Sequence, residues 1–73
     1  YSLGKPMTVN LSIFDMAGRL VDVLVENEMF LAGTYKTHWT GKDRDGRALP
    51  SGTYFCRLNA DGKIRTKRMT LVR

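Results

Sequence analysis

Apolar residues recur at every second position over long stretches of this chain, and the rhythm stops at clusters of Gly, Asp and Pro. Val9, Leu11 and Ile13 alternate with Thr8, Asn10 and Ser12, the period of a strand with one buried face. Asp15 to Gly18 interrupts it, since an aspartate can close a turn with its own carboxylate and Gly18 can adopt a left-handed backbone. In the LVDVLV run that follows Arg19, Leu20, Val23 and Leu24 fall at helical spacing, but three valines and the preceding turn favour a hairpin partner for the first strand. Residues 26–33 lose the pattern, and Met29, Phe30 and Leu31 are expected to form a connection over the open end of a core.

The most organised stretch is Thr34 to Leu58. Two strand-like runs, Thr34 to Trp39 and Thr53 to Leu58, flank a connection that holds Gly41, Asp43, Asp45, Gly46, Pro50 and Gly52. Tyr35, Thr37 and Trp39 share the face expected to point inward, which would make Trp39 the largest core residue; Tyr54, Cys56 and Leu58 share the matching face. Asp61-Gly62 marks a tight hairpin. In the last strand Ile64 and Thr66 have one parity and Met69 and Leu71 the other, so a bulge near Lys67 and Arg68 is expected to turn both sets inward. No sequence repeat is evident. With a partial strand at Tyr1 to Leu3, ended by Gly4, Lys5 and Pro6, the pattern predicts an all-β fold, a small immunoglobulin-like β-sandwich of about six to seven strands. The expected buried set is Val9, Leu11, Ile13, Tyr35, Trp39, Tyr54 and Leu71.

Length and composition narrow the function classes. The 73 residues allow one domain, 1–73, smaller than the roughly 100 residues of a full immunoglobulin domain, as if the N-terminal strand were truncated. The start at Tyr1 suggests a piece of something longer, its C-terminal module. Cys56 and His38 are each the sole residue of their type, which excludes an internal disulfide and a zinc set. No apolar run reaches the about 18 residues of a spanning helix, so membrane insertion is not expected. The charge of +5 favours anionic partners. Its densest cluster, Lys63, Arg65, Lys67 and Arg68, reads as a guarded strand edge rather than a phosphate track, and no nucleic acid is expected.

Candidate chemistry is sparse. Setting Asp43 and Asp45 at the third and fifth positions of a calcium loop puts Gly41 first and Gly52 twelfth, where ligands should be, so a plain turn is expected and no metal or other cofactor. His38 and Ser51 lack a nucleophile elbow, and Glu26 with Glu28 lack a cleft to flank. Tyr35, Trp39, Tyr54 and Phe55 could stack on a sugar or a base, but most lie on expected core faces. The chain is read as a non-enzyme.

Taken together, Ile13 to Arg19 with its Asp-x-x-Gly-Arg turn, Ala32-Gly33-Thr34, Trp39-Thr40-Gly41, Asp43, Gly46, and Pro50 to Leu58 resemble the C-terminal sorting domains of type IX secretion substrates and the related immunoglobulin-like domain of flagellar hook-capping proteins. Lys67 to Arg73 looks like the basic and apolar strand on which sorting domains end. Thr40 departs from the acidic or amide residue usual there, and the proline-rich segment that normally precedes the first strand is absent. The resemblance implies family turns at Asp15, Gly18, Gly41, Asp43, Gly46, Ser51 and Gly52. It also implies a monomeric address module, passing through the periplasm to the cell surface or beyond with its passenger. Lys67, Arg68, Met69, Leu71 and Arg73 would then be read by the outer-membrane translocon. The alternatives are a hook-capping structural domain, or a carbohydrate-binding or adhesion module of a secreted enzyme.

Overall fold

Strand β2 (Met7–Phe14) is the centre of the molecule because its alternation supplies one wholly apolar face and its backbone has a partner on each side. The computed structural model describes residues 2–35 and 38–72. Around β2 lie β1 (Ser2–Leu3), β3 (Leu20–Phe30), β4 (Gly33–Thr34), β5 (Gly52–Ala60) and β6 (Lys63–Leu71). One antiparallel sheet has the order β3-β2-β5-β6, and β1 pairs with β4 in a second ladder of two short strands. The described residues contain no helix. This is the all-β, immunoglobulin-like class that the alternation predicts.

Val9 and Ile13 are fully enclosed and Leu11 nearly so. Leu3, Val9, Leu11, Val25 and Ala60 form the buried cluster, and Met7, Leu24, Phe30, Tyr35, Cys56 and Leu58 pack against it. The β1–β4 layer therefore covers one end of the sheet through Leu3. Over the other end Trp39 stands edge-on to Tyr54, ring centroids 5.0 Å apart at 65°.

Five expectations are corrected. The run from Thr34 to Trp39 is not a continuous strand: pairing is confined to Gly33–Thr34, His38 to Thr40 lie outside any strand, and Lys36 and Thr37 fall outside the described residues. Trp39 donates its indole N–H to the Lys42 carbonyl at 3.0 Å, which holds this segment as a loop. Tyr35, Trp39 and Leu71 are half-buried rather than buried, because the second layer covers only part of the sheet. Residues 26–30 are strand, not a connection over a core end. Three register shifts between β2 and β3 absorb the lost alternation, and Asn27, at φ 52°, donates its N–H to Asn10 Oδ1 at 2.8 Å, so the ladder runs on to Phe30. Met29 and Leu31 are exposed.

The fourth correction is in β6. Its register with β5 is unbroken from Gly52–Leu71 to Ala60–Lys63, and the bulge expected near Lys67 and Arg68 is absent. Opposite Tyr54, Cys56, Leu58 and Ala60 stand Met69, Lys67, Arg65 and Lys63, so three cations take the core-side parity and Ile64 points the other way, exposed. They can do so because Lys63, Arg65 and Lys67 all remain in solvent. The fifth concerns repeats. A five-residue turn occurs twice.

Candidate functional site

DMAGR at 15–19 and DRDGR at 43–47 fold alike, and the reason is the aspartate at the head of each. Asp15 Oδ1 accepts the N–H of Ala17 and of Arg19, each at 2.9 Å. Asp43 Oδ1 accepts the N–H of Asp45 at 3.0 Å and of Arg47 at 2.9 Å. In both turns the Gly N–H donates to the Asp carbonyl and the Asp N–H to the Arg carbonyl, at 2.9–3.0 Å. Gly18 (φ 81°) and Gly46 (φ 84°) occupy the left-handed position that a side chain would strain. The Arg44 N–H donates to the Val21 carbonyl at 3.0 Å, which ties the second turn to β3 just beyond the first.

The first turn carries an extra bond: Arg19 Nε lies 2.9 Å from Asp15 Oδ2. The Asp15 carboxyl is held below the ordinary aspartate range, chiefly by the backbone N–H of Arg19; partial desolvation works against this and the Arg19 guanidinium and the Ala17 N–H assist it. Asp43 has no such ion pair among the described residues. Both aspartates close turns. Met16, Arg19, Val21, Leu49, Pro50 and Tyr54 help to line an open groove of about 390 Å³ beside the first turn.

Pro50, Thr53 and Tyr54 line the same groove where β5 begins. Tyr54 is buried and donates its hydroxyl to the Pro50 carbonyl at 2.7 Å, an arrangement like the tyrosine corner of immunoglobulin domains. Tyr35 does the same to the Leu31 carbonyl at 2.6 Å. Gly41 is buried and its carbonyl accepts the Leu49 N–H, while the Lys42–Ala48 bridge closes a small hairpin around the second turn. Ser51 and Gly52 are exposed where β5 begins. His38 is exposed as well.

The residues singled out on the last strand are separated by the pleat. Lys67, Met69 and Leu71 share the core-side face of β6 and Arg68 the other, opposite Phe55; Arg73 lies outside the described residues. Burial pushes the Cys56 thiol up, with a smaller opposing pull from Lys67 across the ladder, which keeps it protonated at neutral pH. On the outer face the Arg57 guanidinium sits 4.4 Å over the Phe14 ring. Sequence reasoning missed the second copy of the turn. The signal was present as Asp, Gly and Arg at the same offsets in 15–19 and 43–47.

A four-stranded antiparallel sheet, a partial second layer and the tyrosine-corner-like bond of Tyr54 define a small immunoglobulin-like domain whose marked residues build turns. A family model for the FlgD Ig-like domain matches residues 2–63, and the chain belongs to that family. No curated protein and no solved structure matches it.

Proposed function

We propose that this chain is a non-catalytic structural module of the hook-capping type, which contributes its sheet surfaces to a protein assembly. The family match over 2–63 is the observation that carries the reading. The geometry of the matched motifs supports it, since the Asp15 and Asp43 carboxylates are spent on holding turns and Gly18 and Gly46 supply the left-handed positions those turns need. The other members of the motif, Gly41, Ser51 and Gly52, likewise shape the connection into β5.

Type IX sorting shares the motifs from Ile13 to Leu58 with the hook-capping reading, and the residues proposed for its recognition, Lys67, Arg68, Met69, Leu71 and Arg73, lie beyond the matched 2–63, so no observation favours it over the structural role. The test is retention of the purified chain on isolated flagellar hooks, with filaments of the same cells as control. Selective retention on hooks is expected. Failure to bind hooks, together with export of a periplasmic reporter fused to this chain in a host with type IX machinery, overturns the structural reading.

A further inference from the structure

The four-stranded sheet has two outer edges, and they are built differently. Edge β3 is shifted against β2 in three places, has Asn27 in a left-handed conformation, and carries Asp22, Glu26 and Glu28. Such an irregular edge is a poor template for another strand. Edge β6 is regular over its nine residues and holds neither a proline nor a bulge. Among the described residues β6 pairs with β5 alone, so alternate residues turn an N–H and a C=O outward in strand geometry.

What guards β6 is charge. Lys63, Arg65 and Lys67 project from one face at a spacing of about 6.8 Å, two residues of strand rise. Arg68 projects from the other, and none of the four has an ion pair with a described residue. This guard is selective by sign: it repels a second β6 and attracts a strand with carboxylates at alternate positions. Half-buried Met69 and Leu71 continue the same face and call for apolar residues opposite. A polynucleotide would meet the charge but offers no backbone ladder to the edge amides, and no apolar complement at Met69 and Leu71.

We propose that β6 is a docking edge for an extended acidic segment of a partner protein, which adds antiparallel to it with carboxylates facing Lys63, Arg65 and Lys67. The inference goes beyond the structural role above and stands on the edge alone, whichever assembly the module serves.

The probe is the capped peptide Val-Thr-Val-Glu-Glu-Thr-Glu-Thr-Glu, whose order sets Val against Leu71 and Met69 and Glu against Arg68, Lys67, Arg65 and Lys63. Titrated into the 73-residue chain and followed by amide hydrogen exchange, it should protect alternate β6 amides and leave β3 unchanged. Replacing Lys63, Arg65 and Lys67 together by Gln should weaken binding about tenfold, with circular dichroism and melting point unaltered. A peptide of the same sequence N-methylated on its pairing edge should not bind. The proposal is overturned by no binding, by equal binding of a scrambled or N-methylated peptide, or by tighter binding of an oligothymidylate at equal charge. Concentration-dependent self-association that the peptide cannot displace would also overturn it, by assigning the edge to a second copy of this chain.

Discussion

Strands β2 and β6 both pair antiparallel with β5 and both alternate, yet they have opposite fates. On the core side of β2, Val9 and Ile13 are entirely out of solvent; on the same side of β6, Lys63, Arg65 and Lys67 are exposed. The sheet is continuous between them. The difference lies above it, where Leu3 and Tyr35 at one end and Trp39 at the other cover β2 and the adjoining part of β5, while β6 has only half-buried Met69 and Leu71 at its C-terminal end. A strand's pleat decides which residues share a face. The second layer decides whether that face is a core.

The largest effect should come from the covered strand. Replacing Ile13 by Ala should cost about 3 kcal/mol, since it empties a fully enclosed site. A denaturant midpoint shift worth under about 1 kcal/mol would erase the contrast with β6. Trp39→Ala comes next at about 2 kcal/mol, less than a fully buried tryptophan because Trp39 is half-exposed and its lid on Tyr54 is partial. Thermal unfolding measures it, and loss of the near-ultraviolet dichroic signal should accompany it.

The turn leading out of β2 gives a smaller, pH-dependent effect. The folded-state pKa of Asp15 is depressed, so its contribution is complete above the unfolded value of about 3.9 and is lost as pH falls through the folded value. Asp15→Asn should therefore melt below the wild type at pH 6, and the two curves should converge under strong acid. A difference that persists unchanged at pH 2 would assign the effect to something other than ionisation. Smallest of all, changing Lys67 and Arg68 together to Gln on bare β6 should alter stability by no more than about 0.5 kcal/mol. A larger loss would mean that β6 is not the open strand described above.

The same contrast accounts for what was legible beforehand. Val9, Leu11 and Ile13 announced themselves because a strand covered on one face and paired on both sides writes a clean period of two. The hairpin at Asp61-Gly62 was equally plain, both residues having positive φ. The second half of β3 was opaque because its bulges slide the period, so Glu26 to Phe30 lost the alternation without leaving the ladder. In β6 the apolar residues Ile64 and Met69 have opposite parity, and only the missing cover explains why no bulge is needed to reconcile them. Of the motif residues, the aspartates and glycines of both turns were visible as turn formers, and the shared Asp, Gly and Arg offsets in 15–19 and 43–47 already carried the likeness of the two turns, which the hydrogen bonds of Asp15 and Asp43 make explicit.

The strand order also bears on how the chain reaches this state. β2 with β3 and β5 with β6 are local hairpins, whereas β2 with β5 joins Phe14 to Phe55 and Val9 to Ala60 across the whole intervening chain. Hairpins close in about 1–10 μs, but the central pairing must first meet the entropy of closing a long loop. The pairing of β2 with β5 is therefore the expected slow step, and folding should be governed by it rather than by either turn. Truncations at Leu11 or Leu58 should slow folding, while changes at the free edge of β6 should mainly speed unfolding, a division that chevron analysis can read directly.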